Sequence, residues 1–273
     1  MKKFILLLLI CTTCAMQAQR TPKIKGNKNV IEVLEELPSF NAIELNDDLD
    51  ISLKNANTEG YELTIDDNLV DILKFKVVDG TLLIGAFYKI TGKKKLDITI
   101  NYRELNTIAL KEGSIKMQDI IDTDELTVHT TGNSKLQLNA NASVVNIVMD
   151  ADSSGDFNLE ADSLNITLKD RVNVDVFAVS ETNMITLQDN ASAKMTGSSV
   201  KLQVNLSGNT DLKAPELMAE LVNANLEGSA NIKIHATDSL ELSSAGSSKT
   251  YLSGDPKIVI LDFLDTSELH KEK

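Results

Sequence analysis

Closely spaced carboxylates are the residues of this sequence with the clearest capacity for chemistry. Two carboxylates at a set distance can cleave a glycosidic bond, and several oxygens around one loop can bind calcium. Asp is also an ordinary turn residue, because its side chain hydrogen-bonds to nearby backbone. The sequence has neither a D-x-D-x-D-G loop nor a G-G-x-G-x-D repeat, so we interpret these residues as solvated turns. They form four groups: Asp47-Asp48 with Asp50, Asp66-Asp67, Asp122 with Asp124 and Glu125, and Asp150 with Asp152 and Asp156.

The three histidines, His129, His235 and His270, do not have the spacing of a metal site. Neither H-x-x-x-H nor H-E-x-x-H occurs in the sequence. His129 and His235 each follow an apolar residue in an alternating run, which predicts that both face outward from strands. No serine lies in a G-x-S-x-G motif. The sequence therefore predicts no catalytic, metal-binding or cofactor-binding residue, and no cofactor.

Turn-prone residues recur along the chain at a fixed spacing. Each of these positions is small or turn-prone, or lies beside such a residue, and seven equal steps lead from the first to the last. The period is about 19 residues, and a fixed period of this size is typical of a solenoid, in which each unit buries its apolar face by stacking on the next. The series runs through Gly113, Gly132, Ala151, Asp170, Asp189, Gly208, Glu227 and Gly246.

Two self-matches lie four periods apart along the chain. Residues 132–136 (GNSKL) return as 208–212 (GNTDL), and 162–166 (DSLNI) return as 238–242 (DSLEL). Short alternating runs between the turns place aliphatic residues on one face and Asn, Gln, Thr and Lys on the other. Each repeat thus holds about two short strands, which is too little for a four-stranded propeller blade.

These patterns predict an all-β fold, a parallel β-helix with rungs of about 19 residues over residues 108–255. A leucine-rich repeat is the main alternative at this period, but its L-x-x-L-x-L-x-x-N pattern does not recur. A β-sandwich would not keep a fixed step between turns.

Both ends of a solenoid expose strand edges, which favours a cover at each end. Residues 39–107 contain alternating runs and an Asp-Gly turn, so we predict a β-rich N-terminal cap there, with one short helix over residues 68–76. Residues 256–273 are predicted to be a C-terminal cap and tail, in which residues 258–261 and Phe263 fold over the last rung.

The N-terminus predicts export. Residues 1–18 have a basic start, an apolar run and a small-residue exit, as in a signal peptide. The apolar run is too short to span a bilayer, and no later segment approaches that length. Cys11 and Cys14 both lie in this segment, so the mature chain has no thiol. A lipid anchor at Cys14 remains an alternative, although the residues before it fit that signal poorly.

Residues 19–38 are predicted to be a flexible leader, because residues 19–29 carry a proline, a glycine and four basic residues with little apolar content. We expect the mature protein in the periplasm, on the outer cell surface or in the medium. The formal net charge is −13, and removing Lys2 and Lys3 makes it −15. This charge disfavours nucleic acid and anionic membrane surfaces as partners.

The N-terminal pattern resembles the family of the putative auto-transporter adhesin, head GIN domain. The resemblance covers about residues 40–254 and implies a secreted bacterial β-solenoid, with no catalytic residue to carry over; the GIN-type domain would span residues 39–255. The family's Ser-Gly-Ser-Gly turns are replaced here by residues 170–173 (DRVN) and 189–192 (DNAS). The segments that carry the resemblance are residues 40–43 (FNAI), 49–53 (LDISL), 61–65 (YELTI), 66–69 (DDNL) and 77–84 (VVDGTLLI), followed by Gly-Ser turns that keep the repeat period.

Three functions remain open at this point. The first is a non-catalytic exported solenoid that presents a polar surface for adhesion or cell-envelope interaction. The second is a polysaccharide-active β-helix enzyme, and the third is a periplasmic structural or binding module. The partner is unknown; a glycan or a protein could contact the polar face. The sequence has no tryptophan, and most of its tyrosines (Tyr61, Tyr88, Tyr102 and Tyr251) lie in the predicted N-terminal cap, which argues against an aromatic sugar-binding platform on the repeats.

Overall fold

The computed structural model describes residues 22–117 and 119–272, and their regular structure is strand apart from one 3₁₀ helix, Asp67–Ile72. The predicted signal peptide with Cys11 and Cys14, and residues 19–21 of the predicted leader, lie outside the described residues. Among the residues described, no helix is long and apolar enough to cross a membrane. The strands are β1 (Lys23–Lys25), β2 (Val30–Glu36), β3 (Ala42–Leu45), β4 (Asp50–Asn55), β5 (Gly60–Asp66), β6 (Leu73–Val78), β7 (Thr81–Ala86), β8 (Lys89–Gly92), β9 (Leu96–Tyr102), β10 (Thr107–Leu110), β11 (Gly113–Met117), β12 (Ile121–Thr130), β13 (Ser134–Met149), β14 (Ser154–Leu168), β15 (Asn173–Leu187), β16 (Ser192–Gly208), β17 (Asp211–Gly228), β18 (Asn231–Ser244), β19 (Lys249–Ser253), β20 (Lys257–Phe263) and β21 (Glu268–Lys271).

Successive long strands pair in parallel, one rung above the next. Lys135 in β13 lies opposite Ser154 in β14, which lies opposite Asn173 in β15, with the same offset in sequence each time. The predicted parallel β-solenoid with rungs of about 19 residues is therefore confirmed, with about nine turns. At about 4.8 Å per rung, nine turns give a solenoid on the order of 43 Å long.

The alternation of side chains along each rung builds the core as vertical columns. One column runs from Leu126 through Val145 to Leu164, and each of these residues is fully buried. A second column, from Val128 through Ile147, is equally buried. Because every rung stacks its apolar side chains on those of the rung before, the core is continuous without a disulfide in the described residues.

The recurring turn contains one residue with a left-handed backbone in each rung. The amide that follows this residue donates to the carbonyl of the left-handed residue one rung earlier, as from Asn209 N to Asp189 O at 2.7 Å. The spacing between these left-handed residues is constant up to Gly208. The step from Gly208 to Gly228 is one residue longer, and the step from Gly228 to Gly246 is one residue shorter. The turn predicted at Glu227 is therefore centred on its neighbour Gly228. The left-handed residues are Gly113, Gly132, Ala151, Asp170, Asp189, Gly208, Gly228, Gly246 and Asp265, with φ between 58° and 85°.

The N-terminal end is closed by strands that reverse direction. β7 and β9 pair in parallel with β3 and β4, which pair in parallel with β10 and β11, so β7 and β9 begin the parallel stack. β5 pairs antiparallel with β9 and with β2, and β6 pairs antiparallel with β7. Reversed strands cannot continue a parallel stack in register, so they end it.

Two sequence-based expectations for this end differ from the structure. The described part of the predicted flexible leader contains β1 and β2, because Ile24 and Val33 pack against the core. The predicted helix over residues 68–76 is limited to the 3₁₀ helix Asp67–Ile72. Phe75 instead lies in β6, where its ring stacks on Tyr61 at 4.2 Å between centroids.

The C-terminal segment also differs from the expectation. Residues 258–261 and Phe263 do not fold over the last rung. They lie in β20, which pairs in parallel with β18, while β21 pairs in parallel with β19. The segment adds a rung because its apolar residues continue the core columns, and in sequence a further rung and a cover show the same alternation.

Candidate functional site

A groove of about 760 Å³ follows one corner of the solenoid. Five consecutive levels each contribute three residues, which are residues 104–106, 122–124, 141–143, 160–162 and 179–181, with Asn41 at one end. No lysine, arginine or histidine is among the residues that line it. We call this surface the acidic groove, after its six carboxylates: Glu104, Asp122, Asp124, Glu160, Asp162 and Glu181.

Strand register places these carboxylates on one outer corner. Asp122 lies opposite Asn141, which lies opposite Glu160 on the next rung. Their neighbours Ile121, Ala140 and Leu159 point into the core. The strand period of two therefore turns the acidic residues outward.

The acidic groove spreads its carboxylates along the axis. Within residues 22–117 and 119–272, no group of three or more His, Cys, Asp or Glu side chains has the arrangement of a metal site. Such a row suits an extended partner that contacts several rungs. Asp122 and Asp124 lie in strand β12 and not in a solvated turn as predicted. Glu125, next to Asp124, accepts a hydrogen bond from Asn146 Nδ2 at 3.1 Å.

Members of the other predicted acidic groups make hydrogen bonds within the structure. Asp152 accepts a bidentate hydrogen bond from Arg171, with both contacts at 2.6 Å, and these bonds lower the pKa of Asp152. Asp47 accepts from the Ala86 amide at 2.8 Å. Asp50 accepts from Ser114 Oγ at 2.6 Å.

Asp66 is buried beneath the N-terminal strands. The backbone amides of Lys94, Lys95 and Lys28 donate to its carboxylate at 3.0, 3.2 and 3.2 Å. Burial raises the pKa of Asp66, but these three hydrogen bonds, with the charge of Lys94, outweigh burial and lower it overall. Its neighbour Asp67 accepts from Asn29 Nδ2 at 2.7 Å and from Asn27, and both bonds lower its pKa.

A row of lysines lies on an outer face of later rungs. Lys194, Lys213 and Lys233 lie opposite one another on β16, β17 and β18. We call them the lysine row. Lys213 Nζ lies 3.0 Å from Asp211 Oδ2. Sequence reasoning missed the row, although its lysines recur close to the repeat period, which was a readable signal.

The lysine row ends on an aromatic pair. Tyr251 lies opposite Lys233, and the Lys233 Nζ lies 5.2 Å from the centre of the tyrosine ring. His270 stacks on the other side of Tyr251, with ring centroids 5.0 Å apart. The His270 Nε2 also lies 2.7 Å from Glu268 Oε2, and this contact, followed by Lys249, lowers the pKa of Glu268. One tyrosine thus lies on a charged outer face.

The remaining candidate residues are dispersed. His129 is exposed in β12 and His235 is half-buried in β18. Tyr102 is buried, and burial followed by the charge of Asp119 raises its pKa to about 12. On another outer face, Asn165 Nδ2 donates to Asn146 Oδ1 at 2.9 Å, so neighbouring rungs share side-chain hydrogen bonds.

Comparison with known proteins identifies a family. Residues 39–256 match a family described as the putative auto-transporter adhesin, head GIN domain. No curated protein matches this chain.

Three solved structures have the same fold. A putative adhesin from Parabacteroides merdae is 17% identical with a TM-score of 0.70, over 92% of this chain and 100% of that chain. A putative lipid binding protein from Parabacteroides distasonis is 21% identical with a TM-score of 0.64, over 92% and 100%. A putative adhesin from the same species is 18% identical with a TM-score of 0.68, over 91% and 99%. At these identities the likeness shows the fold alone.

Proposed function

Because this chain belongs to the putative auto-transporter adhesin, head GIN domain family, we propose that it is an exported, non-catalytic binding protein. Its polar outer surface would contact a partner in adhesion or in the cell envelope, with the periplasm, the outer surface or the medium as its location. The family description and the adhesin-like neighbours support this proposal.

One structural observation carries the proposal. Outward side chains repeat from rung to rung, and two of the resulting surfaces are charged: the acidic groove, with six carboxylates on four of its five levels, and the lysine row, with one lysine on each of three rungs. A single exposed ion pair contributes about 0–1 kcal/mol. A partner with repeating groups can make such a contact at each level that carries a charge, and several weak contacts to one partner molecule together give a stronger affinity.

The polysaccharide-active enzyme is the competing function, and the acidic groove is where its carboxylates would lie. The test is incubation of the purified protein with a panel of bacterial and host polysaccharides, with products followed by mass spectrometry. We expect binding to at least one polysaccharide or envelope fraction, without new reducing ends or unsaturated products. Turnover that disappears in the Asp122→Asn or Asp124→Asn variant would establish the enzyme instead.

Lipid binding is a second candidate, favoured by an apolar patch beside the acidic groove. Val179 and Met218 lie in one outward row, on either side of Ser198, and Val200 borders the same small pocket as Met218. These three side chains are exposed, as is Phe177, two residues before Val179. Val179 belongs to both surfaces. Exposed apolar patches of this kind mark interaction sites. Flotation with neutral liposomes tests this candidate, and a Phe177→Ser/Met218→Ser variant should lose flotation if the patch binds lipid.

The binding proposal is tested by pull-down with isolated envelopes of the producing cell. We expect the wild-type protein to co-sediment, and a variant in one of the two charged rows to co-sediment less. The Asp122→Asn/Asp124→Asn variant tests the acidic groove, and exposed Asp238→Asn is the control. Wild-type protein that stays in the supernatant with every envelope fraction and glycan would contradict the proposal.

A further inference from the structure

The C-terminal end of the solenoid finishes on a rung whose core side chains are exposed. Ile258 lies opposite Leu240, and Ile260 lies opposite Leu242. Both leucines are 0% exposed, whereas Ile258 and Ile260 are 41% and 44% exposed. The isoleucines belong to the same core columns. They are exposed because, among the described residues, no further rung stacks on them.

The exposure is specific to this end of the columns. In the column that ends at Ile258, every residue from Leu126 to Leu240 is at most 2% exposed. Leu261 and Phe263 extend the apolar surface along β20 and are 56% and 42% exposed. The rung has the composition of a core layer, but only one of its faces is covered.

The outer edge of β20 is also free of strand partners within residues 22–117 and 119–272, where β20 pairs with β18 alone. Its outward amides and carbonyls form a template for another strand. Edge strands normally block such pairing with charged side chains. β20 carries one lysine, Lys257, and one aspartate, Asp262, so its formal charge is zero.

The edge strand at the opposite end of the molecule is protected by charged side chains. The edge strand β2 carries Glu32, Glu35 and Glu36 and no basic residue. Two copies of this strand would repel each other, and the net charge of −13 adds to the repulsion over most of the surface. The β20 edge combines apolar side chains, free hydrogen-bonding groups and no net charge, so it is the edge best suited to a second copy.

We propose that β20 of one protein pairs antiparallel with β20 of a second copy, so that two solenoids join end to end. An antiparallel pair of identical strands has two-fold symmetry, so each edge is complementary to itself. The contact is closed, because it uses the β20 edge of both copies. The last rung, residues 257–272, supplies somewhat less than the roughly 20–30 residues that each partner gives a standard interface.

The β21 side of the rung explains why the contact centres on β20. Lys271 lies opposite Leu252, in a core column. Its Nζ turns toward the Gly254 carbonyl and lies 3.6 Å from Asp255 Oδ1. An inward charge on an edge strand opposes pairing. Apolar pairing is therefore confined to β20.

The test is sedimentation velocity of the full mature protein, combined with hydrogen exchange of its amides. We expect a dimer in the wild type and slow exchange along the outer edge of β20. Ile260→Lys should give a monomer with fast exchange in β20 and an unchanged circular dichroism spectrum. The matched control is Leu34→Lys in β2, where the side chain is 72% exposed at the other end of the solenoid; this variant should remain dimeric.

Two results would overturn the proposal. One is a monomeric wild type across the accessible concentration range. The other is a dimer that persists in Ile260→Lys with unchanged exchange in β20, since the interface would then lie elsewhere. If Ile260→Lys fails to fold, Leu261→Asp on the same exposed strand replaces it. The proposal does not depend on what the outer faces bind, so envelope pull-down and this test succeed or fail separately.

Discussion

Gly246 lies directly above Gly228 in the turn that recurs at every rung. Their φ angles are 78° and 80°, and a Cβ on Gly246 would lie 2.4 Å from the carbonyl oxygen of Gly228. Ala151, Asp170 and Asp189 occupy the same turn position at φ values of 58–63°. The turn therefore accepts a side chain at Ala151, Asp170 and Asp189, whereas at Gly246 the close approach of the Gly228 carbonyl excludes one.

Replacement of Gly246 by alanine should destabilise the protein. A non-glycine residue held in such a conformation costs about 1–3 kcal/mol, and the close approach to Gly228 O adds to this cost. Chemical denaturation measures the change. The control is Ala151→Gly, whose effect should stay within about 1 kcal/mol because only the backbone entropy changes. Equal effects of the two variants would show that the turn positions are equivalent.

Asn183 interrupts a core column, and we expect it to lower the stability of the fold. It lies between Leu164 and Leu202, fully buried, and its Oδ1 accepts from Ser180 Oγ at 2.7 Å. Its Nδ2 has no partner in the described structure. We expect Asn183→Leu to stabilise the protein by about 1–3 kcal/mol, since a buried amide group without a partner is removed. The reverse exchange, Leu164→Asn, should lower the melting temperature. A loss of stability in Asn183→Leu would show that the amide is satisfied.

Asp66 should make stability depend on pH. Its pKa is lowered below the ordinary value of about 3.9. A carboxyl group with a lowered pKa in the folded state stabilises the protein above its unfolded pKa and loses this contribution as the pH falls through its folded pKa. Asp66→Asn should therefore lower the melting temperature at pH 7 more than at pH 3. Exposed Asp238→Asn is the control, and a pH-independent effect of Asp66→Asn would contradict the assignment.

The lysine row should contribute to binding through its charge. Replacing Lys194, Lys213 and Lys233 with glutamine should weaken binding to anionic envelope polymers and reduce its dependence on salt, because exposed charges are screened at high ionic strength. Titration of labelled polymer at two salt concentrations measures both effects. Lys23→Gln, outside the row, is the control. Unchanged affinity in the triple variant would remove the row from the binding surface.

The fixed repeat period was sufficient to predict the solenoid, because the turn at Gly132 and its successors must stack to share hydrogen bonds. The family resemblance agreed with the later match over residues 39–256. The change of step at Gly228 was hidden because β17 has one residue more than β16 between Lys213 and Glu216, which lie opposite Lys194 and Thr196. Because the longer step before Gly228 and the shorter step after it cancel, the distance from Gly113 to Gly246 stays a whole multiple of the repeat period.

The acidic groove was missed in the sequence, although Glu160 follows Asp122, and Asp162 and Glu181 follow Asp124, at whole multiples of the repeat period. Strand register shows that these residues share one corner. The open C-terminal end was missed because Ile258 and Ile260 have the same alternation in a rung as in a cover. β2 was missed because its sequence, VIEVLEE, lacks the strict alternation of apolar and polar residues that predicts a strand.

Protease shaving of intact producing cells tests the central claim of an exported binding surface most directly. The chain is then detected in the cell, periplasmic and medium fractions. We expect the chain outside the inner membrane: cleaved on intact cells, recovered from the medium, or released with the periplasmic fraction. A chain that is found only in the cytoplasm, and that resists protease until the inner membrane is broken, would contradict the account.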